Sequence, residues 1–166
     1  RMTRRIAAHY VFPVSHPPVA KGIIEADGQG MILRLIVPEH GLREMAGMEF
    51  HNGILCPAFA DISGEFTSHA LFESLPFFHE FKEVMPPRLT GYQGVLEWMK
   101  AIQQANSQVS LDDLIRLFRF ETARALGRED ERGTLDPGKR PGILLIDRMD
   151  YRHLKLSPDS RVKRLI

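Results

Sequence analysis

The run Gly133-Thr134-Leu135-Asp136-Pro137-Gly138-Lys139-Arg140-Pro141-Gly142, followed by Ile143-Leu144-Leu145-Ile146, is turn chemistry that ends in an apolar tetrapeptide. Four apolar residues bounded by glycine and proline predict a short strand buried on both faces rather than a helix. Upstream, Ser110 is an N-cap, with Asp113 three residues on as an approximate capping box and a favourable charge at the positive end of the helix dipole. Leu111, Leu114, Ile115, Leu117, Phe118, Thr122, Ala125 and Leu126 recur at helical spacing, and Gly127 supplies a C-terminal stop. The expected order is therefore capped helix over 110–127, turn, buried strand.

Toward the N-terminus the pattern is β. Ile6 to Phe12 reads as a strand stopped by Pro13, and Pro17-Pro18 interrupts the chain again before Val19 to Ala26. Asp27-Gly28-Gln29-Gly30 is a turn into Met31–Val37, which makes 19–37 a predicted hairpin closed by Pro38. Met48 to Leu55 alternates as a further strand, with a kink at Asn52-Gly53. Between the two β regions, Tyr92, Val95, Leu96, Met99, Ile102 and Ala105 predict an amphipathic helix over 90–106 capped by Thr90, which forms an αα-hairpin with the helix at Ser110.

Three motifs carry a family resemblance. Thr122-Ala123-Arg124-Ala125-Leu126-Gly127, then Gly133-Thr134-Leu135-Asp136-Pro137-Gly138-Lys139-Arg140, then the apolar strand, resemble the C-terminal signature of the amidohydrolase superfamily, the cytosine and guanine deaminase, imidazolonepropionase and dihydroorotase group. In the first half, Arg4-Arg5-Ile6-Ala7-Ala8, Lys21-Gly22-Ile23-Ile24 and the run from Phe50 to Asp61 are similar to the N-terminal half of the same small β-sandwich. The resemblance implies a composite sheet assembled from both ends of the chain, beside a catalytic barrel. Pro141-Gly142 departs from the pattern, where Ala-Asp is usual. The turn is kept there, and one habitual side-chain contact is lost.

The family's chemistry does not carry over with the sheet. Laying Pro57, Phe59 and Asp61 on the family strand puts Ser63 and Glu65 where a metal-binding His-x-His pair is expected. Imidazoles two apart on a strand point the same way and can hold an ion that acidifies water, whereas a serine hydroxyl is a poor ligand and a lone carboxylate does not fix geometry. Length excludes the barrel independently: 44 residues separate Glu65 from Ser110, against at least ~200 for a (β/α)₈ barrel. No catalytic, cofactor-binding or metal-binding residue is assigned. Asp61, Glu65 and His69 form the best remaining group for a weak site that the family would not supply.

The other signals are weaker. His9, His16, His40, His51, His69, His79 and His153 show no His-x-His, no HExxH and no helical i, i+4 pair. Neither Asp27–Met31 nor Gly138-Lys139-Arg140 has the spacing of a phosphate loop. Cys56, the single cysteine, excludes an internal disulfide and reads as a buried structural residue. Phe66, Phe72, Phe77, Phe78 and Phe81 cluster with Leu71 and Leu75. Core packing is the ordinary reading of that cluster, and a surface buried against another subunit the sharper one. Arg152, Lys155, Arg161, Lys163 and Arg164 fit the solvated face of a final edge strand.

With 43% hydrophobic residues and a net charge of +1 over 166 residues, one domain with a core is expected, and neither nucleic acid nor membrane is implied as a partner. No apolar run reaches membrane-spanning length and no signal segment is evident, so the expected location is cytoplasmic. The expectation is one α+β domain, a small β-sandwich or strongly bent mixed sheet of seven or so strands. Residues 1–62 and 128–166 supply the β halves, 63–109 the Phe-rich segment and first helix, and 110–127 the second helix. Its expected role is non-catalytic, structural or binding, as a homo-oligomer with no cofactor. The alternative is a metal-dependent hydrolase of non-peptide C–N bonds, using zinc or another divalent ion, with this chain a shortened or remodelled form.

Overall fold

The computed structural model describes residues 3–38, 47–59, 76–87, 91–121 and 134–166. Seven strands form one mixed sheet: β1 (Arg4–Val11), β2 (Val19–Ala20), β3 (Ile23–Ala26), β4 (Ile32–Ile36), β5 (Met48–Pro57), β6 (Ile143–Asp147) and β7 (Arg161–Arg164). The spatial order is β4-β3-β1-β5-β6-β7, with β2 also on β1. β1 and β5 run parallel and every other pair is antiparallel. Three helices are described, α1 (Pro76–Phe81), α2 (Gly91–Ala105) and α3 (Leu111–Arg116). The chain is α+β, its sheet is assembled from N- and C-terminal segments, and it is not a barrel.

Alternation along the central strands explains their unbroken apolar character. Ile54, Cys56, Leu144 and Ile146 point to one face, where Val95, Leu96, Trp98, Met99 and Ile102 of α2 and Leu111, Leu114 and Ile115 of α3 cover them. Leu55, Ile143 and Leu145 point to the other face, with Ile6, Ala8, Ile24, Ile32 and Leu135. Strands buried on both faces have no position for a polar residue.

The second cluster is enclosed by the bend of the sheet. Ile32, at the start of one edge strand, donates to the Lys139 carbonyl (2.9 Å) and accepts from the Gly138 amide (2.8 Å). A Cβ on Gly30, just before β4, would lie 2.8 Å from Cγ2 of Ile166, just beyond the opposite edge strand β7. The two edges therefore meet at this end.

Local details differ from the sequence expectations for identifiable reasons. β1 ends at Val11, although the Phe12 amide still donates to the Leu55 carbonyl (2.7 Å), because Pro13 has no amide with which to continue. The predicted 19–37 hairpin is three strands: β2 and β3 both pair with β1 and are separated at Lys21, which takes φ 57°. The kink at Asn52-Gly53 is a bulge, since between the pairs Ala8↔His51 and Tyr10↔Ile54 β1 contributes one residue and β5 two. The helix at Ser110 begins as predicted, the Ser110 hydroxyl accepting from the Asp113 amide at 3.0 Å. It does not continue as α-helix to 127. After Arg116 it widens to a π-turn over Leu117–Glu121, which buries the neighbours Phe118 and Arg119 together. The remainder of that predicted helix, 122–127, lies outside the described residues.

Candidate functional site

Asp61, Glu65 and His69, and the Ser63 position of the expected metal pair, lie outside the described residues. Phe66, Leu71, Phe72 and Leu75 of the Phe-rich cluster do too, while Phe77, Phe78 and Phe81 belong to α1; Phe81 is partly buried against the helix-side core, and its carbonyl accepts from the Trp98 indole at 3.1 Å. Among the described residues no three His, Cys, Asp or Glu side chains come together in a way that could hold a metal ion.

Three of the described histidines are placed by other interactions. His9 packs edge-on to Phe50 and tilts against Tyr151, with centroids 5.4 and 4.9 Å away. His51 lies 3.4 Å from Glu49, whose carboxylate is gripped by Arg4 through two 3.0 Å bonds. His153 meets Asp150 at 2.8 Å. Hydrogen bonding from Arg4 holds the Glu49 carboxyl below its usual range, with burial opposing and His51 adding to the effect. Cys56 is fully buried on the helix side of β5, and burial pushes its thiol well above the usual value while the Arg119 charge opposes. A thiol so held is protonated at neutral pH and is not a nucleophile.

A cleft of about 550 Å³ lies between the last two turns of α2 and residues 155–158. Glu97, Lys100, Ala101 and Gln104 follow i, i+3, i+4, i+7 spacing and present one stripe of the helix, while Lys155, Leu156, Ser157 and Pro158 form the opposite wall. The walls are cross-linked by hydrogen bonds. Gln103, 6% exposed, accepts from the Leu156 amide (2.8 Å) and donates to the Val109 carbonyl (3.1 Å). Lys100 donates to Glu97 (2.7 Å) and to the Pro158 carbonyl (3.0 Å), and Lys155 to the Ser107 carbonyl (2.5 Å). Ser157 and Ser160 both donate to the Arg148 carbonyl, at 2.6 and 3.0 Å.

Sequence reasoning did not find this cleft. Its two lysines stand 55 positions apart, and each reads alone as an exposed charge. Compared with protein-family models and with curated proteins, the chain matches none.

Proposed function

We propose that the chain is a non-catalytic structural or binding domain, built on a composite sheet of the amidohydrolase type from which the hydrolytic apparatus is missing. The observation that carries this reading is the pairing Pro57↔Ile143, reinforced by a 3.1 Å bond from the Ala58 amide to the Gly142 carbonyl. The chain leaves the sheet and returns to it on adjacent strands, at the place where the resembling family would carry its barrel. The 85 residues from 58 to 142 are too few for one, since a barrel needs at least ~200. At the expected metal pair the sequence has Ser63 and Glu65, which lack the imidazoles that the chemistry needs. A second copy of the chain, meeting the first through the Phe-rich segment, is the proposed partner.

Metal analysis after growth in zinc-, iron- and manganese-supplemented medium tests this, together with assays on cytosine and a cyclic ureide. Sub-stoichiometric metal and no turnover are expected. Stoichiometric metal with chelator-sensitive hydrolysis would reverse the reading in favour of a C–N hydrolase. Light scattering tests the partner separately: a strict monomer at high concentration removes the homo-oligomer.

A further inference from the structure

The cleft beside α2 has the features of a small-molecule site. Its volume, about 550 Å³, falls within the ~300–1,000 Å³ range of ligand pockets. Both walls are fixed before any ligand arrives. The buried Gln103 amide spends its donor and acceptor on opposite sides, and the two serines bind one carbonyl from behind the 155–158 wall. A site whose walls are already ordered loses little freedom on binding.

Charge selects the ligand class. Two ammonium groups face the cleft, Lys100 from the helix and Lys155 from the loop, against one carboxylate, Glu97. That carboxylate is 46% exposed and already accepts from both Gln93 (2.9 Å) and Lys100 (2.7 Å). Among the described residues Lys155 meets only a neutral carbonyl, so one of its three N–H donors is engaged there and its charge has no counter-ion among the described residues that line the cleft. Ala101, Leu156 and Pro158 add apolar surface between the polar groups.

We propose that this cleft binds a small organic acid, a carboxylate or phosphate oxyanion on a short apolar body, with the oxyanion held between Lys155 and Lys100 and the body against Ala101, Leu156 and Pro158. The proposal deepens the binding-domain reading and rests on it. Charge-assisted bonds from a compact ammonium suit either oxyanion, so the shared chemistry defines the class.

The test is an amide-shift titration of the whole chain with hexanoate and with hexyl phosphate, using hexylamine as the charge-reversed control. Saturable shifts confined to 97–107 and 155–158 are expected with at least one acid and not with the amine. Lys155→Gln should weaken binding about tenfold or more, the scale of one lost charge-assisted bond, and Lys155→Arg should restore most of it. Because Lys155 also holds the Ser107 carbonyl, thermal melts of each variant establish that the fold is intact. Lys100→Met provides a second removal of charge should Lys155→Gln melt early.

No saturable shift by about 10 mM of either acid, equal binding of hexylamine, or undiminished binding in both charge-removing variants would overturn the assignment. Stoichiometric metal with hydrolysis would instead overturn the non-catalytic reading while leaving the titration result in place, so the two failures are distinguishable.

Discussion

Gly142 stands where the proposed amidohydrolase-type pattern would have aspartate, and its backbone geometry favours glycine there. The residue sits at φ +77°, and a Cβ there would lie 3.1 Å from the Ala58 Cβ and 3.0 Å from an Arg164 guanidinium nitrogen. Gly142→Asp is expected to cost about 1–3 kcal/mol from positive φ and crowding together, read as a lower urea midpoint at unchanged m-value. Gly53 is required for a different reason, close approach: its Cβ would meet the Ile146 carbonyl oxygen at 2.5 Å. Asn52-Gly53 was legible in the sequence as a kink, because glycine in an alternating strand signals an irregularity. That β6 crosses over it was not, because the crossing partner lies more than ninety positions away. Ser110 was legible in full, since a cap and the amide it serves are three residues apart.

Among elements, the two halves of the sheet are held by different devices. On one side Arg5, Glu25 and Arg34 stand directly opposite one another on β1, β3 and β4, with Glu25 accepting at 3.0 Å from Arg5 and 3.2 Å from Arg34. Hydrogen bonding from Arg34 holds the Glu25 carboxyl below its usual range, with burial opposing and Arg5 adding to the effect. A carboxyl depressed in the folded state contributes stability that is present above its unfolded value, near ~4.3, and is lost as pH falls through the lower folded value. Glu25→Gln should therefore lower stability at pH 7 and flatten its decline between about pH 5 and pH 3, as read from urea midpoints across that range.

On the other side β7 is an edge strand, as its basic residues predicted, and Arg161, Lys163 and Arg164 are exposed. Its outer edge is sealed by the Gln93 side chain, which accepts from the Val162 amide (3.0 Å) and donates to the Ser160 carbonyl (3.3 Å), much as a neighbouring strand would. Gln93→Ala is expected to cost about 1–2 kcal/mol and to produce concentration-dependent association in light scattering, because an unsealed edge offers unpaired backbone groups. Gln93→Glu keeps the acceptor and loses the donor, so it should fall between the two. Nothing in the sequence marked this residue: on α2 it reads as an ordinary polar position, and only the packing of α2 against β7 gives its amide a strand to imitate.

At the scale of the molecule, strand identities were readable from breakers and alternation, but the parallel pairing of β1 with β5 was not. That pairing depends on which long-range contacts close, and local sequence does not encode it. For the excursion between Pro57 and Ile143, the assembly of the sheet from both ends of the chain was expected, and only the pairing of its two ends as cross-strand partners was not. A two-residue Asn-Gly turn should be able to join them directly, which makes a decisive variant: delete 58–142 and close β5 onto β6 as a hairpin. If the helical layer were an appendage, the remaining sheet would fold.

The packing predicts otherwise. Ile54, Cys56, Leu144 and Ile146, all fully buried under α2 and α3, would face water. Uncovering large apolar side chains at about 1.5–3 kcal/mol each removes an amount comparable with a whole domain's net stability of about 5–15 kcal/mol. The excised chain should show collapsed amide dispersion and no cooperative urea transition. A dispersed spectrum from a monomer would mean that the sheet is self-sufficient and that the helix-side core contributes little to its folding.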